Sequence, residues 1–170
     1  EKGEPFQLLV DYARYHDVNI FGLRSMFEYD VLEGYGVKPA DALEHLLRGG
    51  VRPIIASSEQ FREIRKVLIA YGGSVRAAEC MRQFLRMQLW PNVTLRLIDC
   101  STKDSVATRD LTDAVAYCRA FGYEAERTHR PGKPEREILA EAEEWDADMI
   151  VLGSSTKGVL RTKVFGSTAL

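Results

Sequence analysis

DMIVLGSSTKGVLRTKVFGST, residues 148–168, is the stretch on which the reading of the chain turns. Its apolar run, Met149 to Leu152, predicts a short strand buried on both faces. Gly153 ends the run, and a loop of small residues with Ser155 and Thr156 follows. Gly166, Ser167 and Thr168 then lead into the next expected helix. Glycines permit close backbone approach, and hydroxyls beside the free N–H groups of a helix start suit an anion, above all a phosphate. The plainer alternative is an ordinary strand–loop–helix connection, with glycines serving turns and Ser167 acting as an N-cap. Short glycine motifs do not separate the two.

Upstream of this stretch, strands and helices alternate. KVLIAYGGS, from Lys66 to Ser74, predicts a buried strand ending in a glycine turn. The helix after it carries Ala77, Cys80, Met81, Phe84 and Leu85 on one face. Val93–Cys100 is a second strand, and a helix over about Ser105–Phe121 turns Leu111, Ala114, Val115 and Cys118 inward until Gly122 stops it. YEAERTH is a third strand, alternating and half exposed, and Glu135–Trp145 is a helix leading into the fourth strand. The acidic run Glu141, Glu143, Glu144 reads as a solvated helix face. This order is that of an α/β protein with a doubly wound, open parallel sheet and right-handed crossovers. Ligands of such sheets sit at the carboxyl ends of the strands where the order reverses. That crevice would be lined by Tyr71, Gly72, Gly73 and Ser74 on one side and by residues 153–168 on the other.

The front of the chain repeats its rear. GEPFQLLVDYARYHDVNIFG, residues 3–22, echoes GKPEREILAEAEEWDADMIVLG, residues 132–153. Gly3, Pro5, Ala13, Asp17 and Gly22 match Gly132, Pro134, Ala142, Asp148 and Gly153 across a gap of two residues. Each copy predicts a proline-started helix and a buried strand, the first at Val18–Phe21. A helix from about Pro39 with Leu43, Leu46 and Leu47 on one face ends at Gly49-Gly50. VRPIIAS, Val51–Ser57, is then a short edge strand with an early proline. Residues 59–65 form a charged connector.

The residue 148–168 stretch resembles the signature of the universal stress protein family, G-x-x-G-x9-G-[ST]. Gly153, Gly166 and Ser167 fall on it, while Thr156 stands where its second glycine belongs. The resemblance implies a strand order of 3-2-1-4-5 and a tandem protein. Residues 1–58 would be the rear half of one universal stress domain, and residues 66–170 a second one without its last strand. The chain starts at Glu1 rather than Met, which agrees with its being part of a longer protein. ATP-binding members wrap the triphosphate and ribose in this loop, which implies ATP or another adenine nucleotide, with Mg as the only metal, at Gly72, Gly73, Ser74, Gly153, Ser155, Thr156, Gly166, Ser167 and Thr168. Such members carry an aspartate after the first strand; this chain has Gly72 there. Near Ala40-Asp41 the first copy lacks the Gly-Ser pair, so no nucleotide site is expected in it. Lys157, Arg161 and Lys163 supply positive charge around the second loop, or are simply solvated. Members also pair their last strand with that of another domain, so Val51–Ser57 is expected to join a homodimer or an intramolecular pair.

Composition sets the remaining bounds. A formal charge of −2 carries no basic excess for nucleic acid. No apolar run approaches the ~20 residues of a membrane span, and no signal peptide is visible. Cys80, Cys100 and Cys118 lack CxxC spacing, and His16, His45 and His129 are scattered. Buried thiols in a reducing cytoplasm, and no metal site, are the expectation. YGGSVRAAE is also similar to the SGGxDS loop of ATP pyrophosphatases, but Val75-Arg76 follows where Asp-Ser is needed. No Ser–His–Asp or Cys–His set can be assembled. Three readings stay open: a nucleotide-binding stress protein, a nucleotide-free member acting through dimerisation or partners, and a weak ATPase.

Overall fold

The computed structural model describes residues 5–22, 46, 51, 53–58, 60–102 and 104–153. The chain divides into two compact units, Glu1–Phe61 and Arg62–Leu170.

In the first unit, helix α1 (Pro5–Ala13) leads to strand β1 (Asn19–Gly22), which pairs in parallel with β2 (Ile54–Ser57). The register sets Asn19 against Ile54 and Gly22 against Ser57. The expected edge strand Val51–Ser57 therefore starts three residues later. Proline has no N–H to give a ladder, and Pro53 serves instead through its carbonyl, which accepts from Asn19 N–H at 3.0 Å. Of the helix expected after Pro39 only Leu46 is among the described residues. It is helical and fully buried, and its carbonyl accepts from Val51 N–H at 3.0 Å.

In the second unit the elements run β3 (Lys66–Ala70), α2 (Val75–Met87), β4 (Thr94–Asp99), α3 (Asp104–Ala120), β5 (Glu124–His129), α4 (Pro134–Glu144) and β6 (Met149–Val151). The sheet is parallel throughout, in the order β5-β4-β3-β6. The unit's strands thus lie third, second, first, fourth, and a fifth position has no counterpart among the described residues. Alternation along the strands sorts the core into two layers. Val67 and Ile69 with Leu95 and Leu97 meet Met81, Phe84 and Leu85 of α2 and Leu111, Ala114, Val115 and Cys118 of α3. Leu68 and Ile98 turn the other way, onto Ile138 of α4. Helices on both faces explain why Val67, Leu68 and Ile69 are all fully buried. β6 departs from the expectation of full burial, since Met149, Ile150 and Val151 are half-buried. It pairs with β3 alone among the described residues.

The acidic face of α4 also differs from its reading. Glu141 is 5% exposed. Its Oε1 accepts from Arg96 at 2.7 Å and its Oε2 from Arg130 at 2.9 Å. Spacing from Ile138 puts Glu141 on the packed side of the helix, and the pleat of β4 turns Arg96 to the same side as Ile98. The Arg96 guanidinium also lies 4.3 Å from the centre of the Trp145 ring. Arg130 takes Glu144 as well, at 2.8 Å, while Glu143 is exposed as expected.

Asp148 ties the start of the unit to its end. Its Oδ2 accepts from the N–H groups of Arg65 (2.9 Å) and Lys66 (2.8 Å), and its Oδ1 pairs with Arg62. Burial pushes its carboxyl up, but the two N–H donors and the guanidinium outweigh it and hold it below the usual carboxylate range. Arg62 and Arg65, read as connector, are thereby fastened to the sheet. At the far edge, Arg119 donates to the Ala125 carbonyl of β5 at 2.8 and 3.2 Å, occupying an acceptor that an added strand would need.

Candidate functional site

The sheet order reverses between β3, which leads to β4 on one side, and β6 on the other. Their carboxyl ends open onto the turn Tyr71–Ser74 and onto Leu152-Gly153. Ser74 is the N-cap of α2, extended at φ −77° and ψ 151°, with its hydroxyl accepting from Ala77 N–H at 3.2 Å. The plain capping role weighed for Ser167 is thus the one Ser74 performs. Gly73 has φ +69°, a conformation that favours glycine. Gly72 is exposed, and among the described residues nothing lies within 4 Å of where its Cβ would stand.

Gly153 is buried against the first turn of α2. A Cβ there would stand 3.5 Å from Arg76 O and 3.7 Å from Ala77 backbone atoms, so a methyl would fit and a longer side chain would meet the helix. Just before it, the Cys80 thiol donates to Leu152 O at 3.3 Å. The structure therefore brings Gly72, Gly73, Ser74 and Gly153 together around one helix start. Ser155, Thr156, Gly166, Ser167 and Thr168 lie outside the described residues, as do Lys157, Arg161 and Lys163.

The acids of this region were not legible as site residues. The Asp110 carboxylate, carried by α3, lies 2.5 Å from the place a Gly73 Cβ would occupy. Asp99, 3% exposed at the end of β4, accepts from Ser101 N–H at 2.5 Å. Burial, then the charges of Asp110 and Asp113, push the Tyr71 phenol above its ordinary range. Asp110 and Asp113 are one helical turn apart, a spacing visible in the sequence, but only the packing of α3 beside the β3 turn aims the first at Gly73.

Other candidates stay apart from the crevice. His129 closes β5, two strands away from β3, and its Nε2 hydrogen-bonds Ser101 O at 2.8 Å. Burial first, with Asp99 next, pushes the Cys100 thiol up to about 12, and burial pushes Cys118 to about 11. Neither is a nucleophile near neutral pH. Cys80, expected buried, is half-buried, and burial raises its pKa as well. Among the described residues no group of three or more His, Cys, Asp or Glu could hold a metal, and no helix is long and apolar enough to cross a membrane. An open groove of about 370 Å³ between α3 and β5 is lined by Thr112, Val115, Ala116, Arg119, Glu126 and Arg127. It is remote from the strand ends, and Arg119 there is already bonded to Ala125.

Comparison with known proteins agrees with this architecture. The model of the universal stress protein family matches residues 101–170. A curated universal stress protein of Synechocystis sp. is 25% identical over 128 residues, which cover 74% of this chain and 45% of that protein. The crystal structure of a universal stress protein from Archaeoglobus fulgidus DSM 4304 aligns with a TM-score of 0.63 at 21% identity, covering 95% of this chain and 63% of the other. The chain thus spans a little under half the length of the curated relative.

Proposed function

We propose that this chain is a cytoplasmic stress-response protein of the universal stress protein family, a reading supported by the match over residues 101–170 and by the likeness in fold, and that it binds an adenine nucleotide at the carboxyl ends of β3 and β6. One observation carries the reading: at the point where the strand order reverses, the Gly72-Gly73 turn and Gly153 meet at the first turn of α2. The space over Gly72, clear of any described residue, leaves room for a flat or sugar-like group, and the helix start favours negative charge beside it. Asp110 opposes a phosphate at Gly73 itself. The phosphates are therefore assigned to the segment after Gly153, where Ser155, Thr156, Gly166, Ser167 and Thr168 would donate and Lys157, Arg161 and Lys163 would balance charge. Mg would enter only with the nucleotide.

Titration calorimetry with ATP tests the reading. Thr156→Gly should tighten binding by removing a Cβ from the phosphate loop, and adding Gly72→Asp should tighten it further. Ser167→Ala should weaken it by about 1.5–3 kcal/mol, the contribution of one hydrogen bond to a charged group. No heat of binding in the wild type or in any variant refutes nucleotide binding. Phosphate release above the Ser167→Ala level would indicate that the bound ATP is hydrolysed.

A second reading rests on β2, which pairs with β1 alone among the described residues and keeps Ile54 and Ile55 only half-buried. Here the strand joins that of another domain or of a second copy, and the chain acts without a nucleotide. Ile54→Lys with Ile55→Lys should then dissociate the pair, or expose apolar surface where the partner lies in the same chain. A wild-type monomer by light scattering, with residues 54–57 exchanging their amides rapidly, refutes it.

A further inference from the structure

The two units carry the same helix–strand pair in different surroundings. In the matching of residues 3–22 to residues 132–153, Leu9 stands for Ile138, Tyr12 for Glu141, Asp17 for Asp148 and Ile20 for Val151. In the second unit each of these positions meets β3 or β4. Ile138, 2% exposed, packs with Leu68 and Ile98, and Glu141 accepts from Arg96. Val151 lies opposite Ile69 in the β3–β6 ladder, and Asp148 receives the N–H groups of Arg65 and Lys66 where β3 begins. In the first unit the counterparts lie open. Leu9 is 36% exposed, Tyr12 54% and Ile20 63%, and Asp17 is exposed as well. Among the described residues β1 pairs with β2 alone.

This pattern defines what fits there. Strand edges that face water are guarded by charge, proline or a cap. β5 is guarded in this way, by Glu124, Glu126 and Arg127 and by Arg119 on the Ala125 carbonyl. β1, Asn-Ile-Phe-Gly, has neither charge nor proline. A strand laid parallel to β1 in the register of β3 on β6 would set an apolar residue against Ile20, as Ile69 stands against Val151. Its opening N–H groups would fall on Asp17, and a crossover helix would lead to a second strand beneath Leu9. β3 and β4 of a second copy are a poor occupant. They would carry Arg96 away from Glu141 and offer it Tyr12, which has no carboxylate. We propose that the open side of α1 and β1 docks a strand–helix–strand segment of a different polypeptide. Its first strand is apolar, extends the sheet at β1 in parallel and starts with its N–H groups on Asp17.

The probe is a fluorescently labelled peptide REIRKVLIAY, the sequence of residues 62–71, which has this first-strand chemistry and lacks Arg96. Titrated with the 170-residue chain and followed by anisotropy, it should bind. Asp17→Ala and Ile20→Lys should each weaken binding about tenfold or more. Both positions are exposed in the free chain, so thermal melts of the two variants should stay close to that of the wild type. Methylating the peptide nitrogens of Arg65 and Lys66 should cost the wild type about tenfold and Asp17→Ala nothing, because the lost donors are those that Asp17 receives. No binding by the wild type, or binding that neither variant weakens, overturns the proposal. So does a melt markedly lowered by Ile20→Lys, which would put that residue under cover within the chain. A wild-type dimer in light scattering that Ile20→Lys dissociates would give the surface to a second copy and overturn it too.

Discussion

Replacing Glu141 with Gln should be among the most damaging single changes on the surface of α4, although sequence alone places that residue among solvated acids. The substitution keeps the volume and removes the charge that two guanidiniums share. A fully buried ion pair broken on one side costs about 3–5 kcal/mol, because a charge is left without its partner. Here the figure is smaller. Arg96 is 22% exposed and retains Glu126 at 2.6 Å, so water and a second carboxylate relieve it. Arg130 retains Glu137 and Glu144, and nothing is counted for it. About 2 kcal/mol remains, carried by the Arg96 contact and by the amide hydrogens that Gln would turn toward a guanidinium. With a urea dependence of about 2 kcal/mol per M, the unfolding midpoint should fall by about 1 M at unchanged slope. In an Arg96→Met background the same change should cost less than half as much. A midpoint lowered by less than about 0.3 M in the wild-type background would show that desolvation of Glu141 cancels its pairing, and the reasoning would fail.

Acid should loosen the second unit through Asp148. Its carboxyl is held low in the folded chain, so the stability it adds is complete above the unfolded value near 3.9 and is lost as pH falls through the lower folded value. Asp148→Asn should flatten that acid limb of a stability–pH curve, and an unchanged limb would count against the assignment. Gly73→Ala should lower stability by about 1 kcal/mol, because φ +69° suits an alanine poorly while the Asp110 carboxylate can swing aside. Thermal melts of Gly73→Ala and of Gly73→Ala with Asp110→Gly should then agree closely; a large recovery in the double variant would make the contact, not the backbone, the cause.

Much of the architecture was legible because its signals are local. Continuous apolar runs such as Val67–Ile69 arise where helices cover both faces of a parallel strand, and the helical stripe through Ala77, Met81, Phe84 and Leu85 lies in the core as its period requires. The turn glycines were readable too, since Gly73 and Gly122 both take positive φ. Strand limits were less so: Pro53 delays β2 through a missing donor, and β6 loses burial because of where it sits in the sheet, which no single strand records. Charged residues defeated the sequence reading most. Glu141 and Glu143 are equally acidic, and only the rotation of α4 over β4 makes one a buried partner of Arg96 and leaves the other in water. Asp148 is in the sequence only the residue before the fourth strand, until β3 and β6 lie side by side and turn the N–H groups of Arg65 and Lys66 onto it. Asp110 faces Gly73 across 37 residues of chain for the same reason. Periodicity along the chain determined which residues are apolar-facing and where the chain turns. Which charges meet was decided by the tertiary structure, because a Coulomb partner is chosen by distance in space and not by spacing in sequence.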